Sequence, residues 1–192
     1  NQSLDLEDYV RRLREDPEET NSLYKDLLIG VTEFFRDREA FERLGKEVIP
    51  QLLNRANQGD EIRVWVAGCA TGEEAYSVAM LLIEGAEARG DGPWDIRVFA
   101  TDIDDVSIGV GRVGTYPTSI ETDVSRERLE KYFSHTEHGY RINKDLRQMV
   151  VFARHSIIKD PPFSRLNLLS CRNLLIYLNR HLQKKLIPTL HY

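Results

Sequence analysis

The stretch VWVAGCATGEEAYSVAMLL, from Val64 to Leu82, decides the fold of this chain. It begins with a short apolar run, turns through small residues that include Gly68 and Gly72, and then repeats apolar residues at helical spacing. This order predicts a strand, a tight turn and a helix. Because Glu73 and Glu74 stand at the start of that helix, their charges would repel an anionic ligand there.

Three further strands are predicted beyond this unit. They are IRVFATDID (96–104), whose strand ends at Asp102, QMVVFARHS (148–156) and RLNLLSCRN (165–173). Strands that alternate with helical segments predict a doubly wound, mainly parallel α/β sheet with helices on both faces, because parallel neighbours need long crossovers. If the sheet order is 3-2-1-4, the strands that end at Cys69 and Cys171 are neighbours.

About sixty residues at the start of the chain are predicted to be helical. The apolar positions are Leu6, Tyr9, Val10 and Leu13 in a first helix, Leu23, Tyr24, Leu27 and Leu28 in a second, and Phe41, Leu44, Val48 and Leu52 in a third. The third helix begins near Asp37 and should be disturbed at Pro50. Between the second and third strands, a short helix and a hairpin around His138 predict an insertion, at about 115–147, with a small antiparallel element.

The composition fits one main domain. The chain has 192 residues, of which 41% are hydrophobic and 30% charged, so it can bury one sizeable core. Its net charge of −5 argues against nucleic acid as a partner, and it contains no secretion signal and no apolar run of the roughly 20 residues that a membrane span needs. We expect a soluble intracellular protein with Cys69 and Cys171 as buried reduced thiols.

The acids at the predicted helix start narrow the class of ligand. A nicotinamide dinucleotide is disfavoured, because a carboxylate repels a pyrophosphate and the third glycine of the dinucleotide motif is missing. S-adenosylmethionine fits better, since its ammonium and sulfonium attract a carboxylate and its ribose hydroxyls need an acceptor such as Asp102. The alternative is that Glu73 and Glu74 only complement the helix dipole and that Gly68 and Gly72 are simple turn formers.

Four motifs in this order carry a family resemblance: GVTEFFRD (30–37), AGCATGEEAYS (67–77), ATDID (100–104) and SCRNLLIYL (170–178). With them the chain, from about Leu23 to its end, resembles the CheR family of chemotaxis methyltransferases. The wording HSIIKDPPFSRLNLLSCRNLLIYLN (155–179) is most similar to members fused to a CheB-type methylesterase and sensor segments.

The resemblance implies a protein-glutamate O-methyltransferase of bacterial chemotaxis. Such an enzyme acts in the cytoplasm and transfers a methyl group from S-adenosylmethionine to a glutamate of a chemoreceptor's cytoplasmic domain, leaving a methyl ester and S-adenosylhomocysteine. A glutamate with a reference pKa of about 4.3 is already ionised at neutral pH, so no catalytic base is needed. Catalysis should consist mainly of positioning.

The resemblance also assigns site residues. The cofactor-contacting positions are Thr32, Arg36, Gly68, Glu74 at the methionine end, Asp102 at the ribose, Ser156 and Ile157 beside the adenine, and Arg172 and Asn173. Arg36 would also orient the incoming carboxylate with its planar fork of donors, and Tyr177 would lie near the transferred methyl. The alternatives are a surface ion pair of Arg36 with Asp37 or Glu39, and a core packing role for Tyr177. No metal site is expected, because His135 and His138 lack a third ligand.

Departures from the family pattern are also visible. Gly30 and Asn167 replace a usual Asn and Asp, and the short segment SHTEHGYRIN (134–143) favours an enzyme that needs no receptor pentapeptide. We expect residues 1–36 to be the remnant of an N-terminal helical domain and residues 37–192 a methyltransferase domain that lacks its final strands. The rival hypothesis is a non-catalytic CheR-like module of a larger sensory protein.

Overall fold

The computed structural model describes residues 6–17, 19, 23, 32–57, 59–90 and 93–190. It divides into two compact units, 1–31 and 32–192. The first unit contains helix α1 (Leu6–Glu15), which confirms the first predicted helix. Most of the predicted second helix, and Gly30, lie outside the described residues. The domain boundary after residue 36 stays a prediction.

The second unit is built on a four-stranded parallel sheet. Its strands are β1 (Glu61–Ala67), β2 (Asp95–Asp102), β6 (Val150–Arg154) and β7 (Leu168–Ser170), in the order β6-β2-β1-β7. All three pairings are parallel, which confirms the α/β prediction and the order 3-2-1-4. The carboxyl ends of the strands therefore meet along one edge, where ligands bind in folds of this kind.

Helices connect and flank these strands. They are α2 (Arg38–Arg43), α3 (Ile49–Arg55), α4 (Glu73–Arg89), α5 (Asp105–Val113), α6 (Arg126–Tyr132), α7 (Lys144–Met149) and α8 (Arg180–Leu190). Short 3-10 turns span Thr118–Thr122 and Leu175–Tyr177. No helix among the described residues is both long and apolar enough to cross a membrane.

Strand β1 and helix α4 form the centre of the core. From Val64 to Ala67 the side chains of β1 are buried on both faces, as a central strand between parallel neighbours requires. The first three turns of α4 are buried almost all round, from Ala75 to Leu82. This burial explains why the stretch from Val64 to Leu82 determines the fold.

The predicted disturbance of the third helix is present, slightly before Pro50. A π-helical turn, Leu44–Val48, separates α2 from α3, and Pro50 lies in the first turn of α3. Proline has no N–H to donate to the preceding turn, so the backbone must change its hydrogen bonding just before it.

The predicted insertion is a small antiparallel sheet of β3 (Thr115–Tyr116), β4 (Phe133–Thr136) and β5 (Gly139–Ile142), in the order β3-β5-β4. The hairpin turns at His138, as expected, with Thr136 opposite Gly139. A Cβ on Gly139 would lie 2.1 Å from the carbonyl oxygen of Tyr116, so β3 can approach β5 this closely only because residue 139 is glycine. The sequence had not predicted β3 or α7.

The prediction for the cysteines was half right. Both are free thiols, and Cys69 is buried, but Cys171, which follows β7, is only half-buried. Burial raises the pKa of the Cys69 thiol, so that this thiol stays protonated at neutral pH.

Candidate cofactor site

The turn between β1 and α4 is anchored to the end of the neighbouring strand. The amides of Gly68 and Cys69 both donate to the carbonyl oxygen of Thr101, at 2.7 and 3.0 Å. Gly72 has a φ of +95°, and a Cβ there would lie 2.8 Å from the ring of Phe152. We call residues 68–72 the cofactor loop; its backbone conformation requires glycine at its last position.

Asp102 lies at the end of β2, where the sequence predicted a ribose contact. Its carboxylate accepts hydrogen bonds from the amides of Ala70 at 2.9 Å, Ile103 at 2.7 Å and Asp104 at 3.1 Å. A carboxylate has about four acceptor positions, so three are used within the described part of the chain and one remains for a ligand hydroxyl. Asp102 thus also holds the cofactor loop against β2.

Glu74 lies inside the site rather than on the surface. Its side chain is 15% exposed, accepts a hydrogen bond from the hydroxyl of Ser170 at 2.5 Å, and lies 3.5 Å from Nη1 of Arg172. Burial raises the pKa of this carboxyl, while Ser170, Arg172 and Arg36 oppose the rise. A buried carboxylate with open acceptor positions is suited to an ammonium group.

Glu73 has a different environment. It is 9% exposed, and the hydroxyl of Thr71 donates to its two carboxylate oxygens at 2.8 and 2.7 Å. Burial raises the pKa of the Glu73 carboxyl as well. Dipole complementation alone needs no such burial, so that alternative does not account for the two acids.

Arg172 joins the end of β7 to the segment that carries Arg36. Its Nη2 donates to the carbonyl oxygen of Arg36 at 2.7 Å and to the carboxylate of Asp37 at 2.6 Å, and its guanidinium lies 4.9 Å from the ring centre of Phe41. Its Nη1 is buried and makes no hydrogen bond within the described residues. An unsatisfied buried donor beside Glu74 is consistent with a polar ligand at this point.

Residues 32–37, here called the arginine segment, are held in an unusual backbone conformation. Phe34 and Phe35 are buried, and Phe35 and Asp37 have φ angles of +53° and +60°. The amide of Phe35 donates to the hydroxyl of Ser77 at 3.0 Å, and this hydroxyl donates to the carbonyl oxygen of Glu73 at 2.7 Å. Such conformations cost energy for residues other than glycine, so the surrounding contacts must impose them.

Thr32 and Arg36 lie half-buried on this segment. The positive charge of Arg36 lowers the pKa of Glu74, which places the guanidinium within electrostatic reach of that carboxylate. The Asp37 carboxylate, proposed in one alternative as the partner of Arg36, accepts from Arg172. Ser77, which supports the segment, was missed because a serine within a helical pattern carries no distinguishing signal.

Ser156 and Ile157 follow β6 at the same edge of the sheet. The amide of His155 donates to the carbonyl oxygen of Asp102 at 2.8 Å, which brings this turn beside the end of β2. The amide of Ser156 donates to the carboxylate of Asp160 at 2.7 Å. The backbone donor of Ser156 is therefore engaged within its own turn.

Asn173 and Tyr177 follow β7 and are exposed. Asn173 has a φ of +54°, which asparagine tolerates better than most residues. Tyr177 is 51% exposed, so the alternative of a core aromatic is wrong. Both residues lie on the segment that leaves the site, with their side chains accessible.

Asn167, which departs from the family pattern, has a structural role. Its side-chain oxygen accepts a hydrogen bond from the backbone amide of Arg63 at 2.8 Å, and its backbone amide donates to the carbonyl oxygen of Arg63 at 2.8 Å. These bonds align the start of β7 with β1. The carboxylate oxygen of an Asp would accept the same hydrogen bond from Arg63, so having Asn at position 167 instead of the family's usual Asp preserves this bond.

A groove of about 830 Å³ lies elsewhere, between α2 and α3, the outer face of α4 and residues 121–128. None of the ten predicted site residues lines it. We therefore locate the cofactor site from the chemistry of the side chains at the strand ends.

The fold and these side chains define a class of protein. A doubly wound parallel sheet, an acidic helix start after a glycine turn and an acid that ends the second strand are the arrangement of an S-adenosylmethionine-binding methyltransferase domain. The sequence model described as the CheR methyltransferase, SAM binding domain, matches residues 30–192. The chain belongs to the CheR methyltransferase family.

Relatives agree with this assignment. The chain is 41% identical over 188 residues to an uncharacterized 104.1 kDa protein of Rhodobacter capsulatus, an alignment that covers 98% of this chain and 20% of the relative. It is 29% identical over 170 residues to a chemotaxis protein methyltransferase of Listeria monocytogenes, an alignment that covers 88% of this chain and 62% of the relative. It is 29% identical over 164 residues to chemotaxis protein methyltransferase 1 of Pseudomonas aeruginosa, an alignment that covers 83% of this chain and 60% of the relative. The chain thus spans less than two thirds of each of these relatives.

The residues present fit S-adenosylmethionine. The site offers a buried carboxylate at Glu74 for a cationic group, a remaining acceptor position on Asp102 for a hydroxyl, and an unsatisfied donor on Arg172 for an anionic group. These are the three kinds of polar group that the methionine and ribose parts of the molecule require.

Proposed function

We propose that this chain methylates glutamate side chains in the cytoplasmic domain of a chemoreceptor, with S-adenosylmethionine as the methyl donor. The observation that supports this most strongly is the convergence of Glu74, Arg172 and the arginine segment at the carboxyl ends of the strands. When bound, S-adenosylmethionine supplies a methyl group on a positively charged sulfur, which an ionised carboxylate can attack directly.

The roles of the chain's own residues follow from their chemistry. Glu74 holds the methionine ammonium, Asp102 accepts from a ribose hydroxyl, and Arg36 orients the incoming carboxylate through its planar fork of donors. The new bond joins the acceptor oxygen to the methyl carbon while the carbon–sulfur bond breaks and its electron pair stays on sulfur. No proton moves, so the site needs alignment rather than a base.

Thr32, Gly68, Arg172 and Asn173 complete the proposed cofactor contacts, together with Ser156 and Ile157 at the adenine. Tyr177 lies near the transferred methyl in this proposal, and its exposed side chain is consistent with contact to a protein substrate as well.

The test uses tritiated methyl S-adenosylmethionine and a purified chemoreceptor cytoplasmic domain. We expect label on the receptor that alkali releases as methanol, because a glutamate methyl ester hydrolyses in base. Glu74→Gln should lower the rate by at least about tenfold, whereas Glu47→Gln, which alters an exposed ion pair with Arg43, should not. Label that resists alkali would contradict an ester product.

The rival hypothesis of a non-catalytic module has its own signature. Saturable binding of S-adenosylhomocysteine without methyl transfer to any receptor tested would support it and refute the proposed activity. The match to a 104.1 kDa relative supports a further proposal, that the parent protein is of the type fused to a CheB-type methylesterase and sensor segments. The proposed acceptor would place the protein in the cytoplasm.

A further inference from the structure

Tyr116 lies outside the parallel sheet, yet its hydroxyl reaches the cofactor loop. It belongs to β3 of the antiparallel sheet, is 3% exposed, and donates a hydrogen bond to the carbonyl oxygen of Thr71 at 2.8 Å. On its other side, the loop donates hydrogen bonds from the amides of Gly68, Cys69 and Ala70 to acceptors at the end of β2. The loop is therefore supported from two sides by different sheets.

The same ring also contacts the arginine segment. The ring centres of Tyr116 and Phe34 are 4.9 Å apart in an edge-to-face arrangement. Phe34 is in turn packed against Phe133 of β4, with ring centres 5.6 Å apart. One side chain of the antiparallel sheet thus contacts both parts of the site, by a hydrogen bond on one side and by packing on the other.

The hydrogen bond from Tyr116 to the Thr71 carbonyl lies where the backbone sets the direction of Glu74. Thr71 precedes Gly72, whose φ of +95° sets the start of α4 and hence the direction of Glu74. The hydroxyl of Thr71 is held by Glu73 and its carbonyl by Tyr116. Burial raises the pKa of the Tyr116 phenol, so it remains a donor at neutral pH.

We propose that Tyr116 is a positioning residue for the cofactor: its hydroxyl fixes the peptide between Thr71 and Gly72 and makes the antiparallel sheet a structural support of the loop. This inference rests on the proposed cofactor role of the loop. It assigns to the inserted sheet a task inside the active site.

Tyr140 provides a matched control. It stands directly opposite Tyr116 in the β3–β5 ladder and is also buried, but its hydroxyl donates to Glu121 at 2.6 Å and does not reach the loop. Tyr116→Phe and Tyr140→Phe therefore remove the same atom from neighbouring positions of the same sheet. Any effect on general stability of the sheet should be shared by the two variants.

The experiment titrates S-adenosylhomocysteine into the wild-type chain and both variants by calorimetry, beside thermal unfolding. Tyr116→Phe should weaken binding about fivefold to tenfold, because the part-buried carbonyl of Thr71 loses its only described donor, while Tyr140→Phe should stay within about twofold. Equal affinities of Tyr116→Phe and wild type would overturn the inference, even if the melting temperature of the variant fell.

A second readout does not depend on the cofactor. Hydrogen exchange in peptides that cover residues 68–74 should be at least about threefold faster in Tyr116→Phe than in Tyr140→Phe, without any ligand. Unchanged exchange would overturn the inference. If the wild-type chain bound no S-adenosylhomocysteine, the proposed function would fail, and the exchange result alone would decide whether Tyr116 holds the loop.

Discussion

The cofactor loop and the arginine segment serve the same site but are held in different ways. The loop is fixed by glycine conformations and by backbone bonds to the end of β2, which lies beside it in the sheet. The arginine segment is fixed by side chains from distant parts of the chain, above all Ser77 and Arg172. The comparison shows that the loop is mostly encoded locally, with the bond from Tyr116 as its distant support, whereas the arginine segment depends throughout on the finished tertiary structure.

The antiparallel insertion adds to the second kind of support. The guanidinium of Arg128 lies 4.2 Å from the ring centre of Phe35 and forms two hydrogen bonds of 2.8 Å each with Glu84 on α4. A bidentate pair of this kind has a defined orientation. Together with Tyr116 and Phe133, Arg128 makes the insertion a packing surface for the arginine segment.

The largest effect is expected from Gly72→Ala in the cofactor loop. The new Cβ would lie 2.8 Å from the Phe152 ring and 3.2 Å from the Cα of Gly111, in a backbone conformation that L residues disfavour. We expect a loss of about 3 kcal/mol or more in the free energy of unfolding and no binding of S-adenosylhomocysteine. Urea unfolding measures the free energy, and calorimetry measures the binding of S-adenosylhomocysteine.

Gly90→Ala is the control for that substitution. Gly90 has a φ of +70°, but a Cβ there meets nothing within 4 Å, so only the backbone strain should remain, at about 1 kcal/mol. Equal losses in the two variants would mean that conformation alone, and not the close approach to Phe152, decides the glycine at position 72.

This half of the site was open to prediction from the sequence. The glycines, the two acids and Asp102 lie within one strand–turn–helix unit and at the end of the next strand, so their proximity follows from strand order alone. By contrast, the bond from the Phe35 amide to Ser77 joins residues 42 positions apart, and the bond from Arg172 to Arg36 joins residues 136 apart. No local pattern encodes such pairs. Only the resemblance to a family brought Arg36 and Arg172 to attention.

Ser77→Ala tests the support of the arginine segment from inside the core. The substitution leaves the buried amide of Phe35 without its acceptor, so the free energy of unfolding should fall by about 1 to 3 kcal/mol. Methyl transfer should fall further than the affinity for S-adenosylhomocysteine, because Arg36 moves while the cofactor loop keeps its bonds. Ser134→Ala, which removes an exposed hydroxyl on β4, is the matched control. Equal loss of binding and of transfer would show that the two halves are not separable.

Arg128→Lys should have a smaller effect on the same segment. Lysine keeps the charge but cannot form the two parallel bonds to Glu84, and it stacks less well on Phe35. Because the side chain is 28% exposed, we expect a loss of only about 1 kcal/mol in the free energy of unfolding. A double-mutant cycle with Glu84→Gln measures the coupling. A coupling energy of zero would contradict a stabilising pair between Arg128 and Glu84.

The smallest effect is a pH dependence that should distinguish Glu74 from an ordinary surface acid. Burial raises the pKa of Glu74, so its carboxylate takes up a proton at a higher pH than an exposed glutamate does. The free protein then gains stability from this group as the pH falls through the raised pKa, because the protonated form is the one that burial favours.

Binding of S-adenosylhomocysteine changes in the opposite direction, since its ammonium loses a negative partner. Between about pH 7.5 and pH 5, we expect calorimetry to show an affinity that falls about twofold to threefold in the wild-type chain and less in Glu74→Gln. Glu73, whose pKa is also raised by burial, is unchanged in both proteins, so its contribution cancels in the comparison. The same pH dependence in the two proteins would place the cationic end of the cofactor away from Glu74.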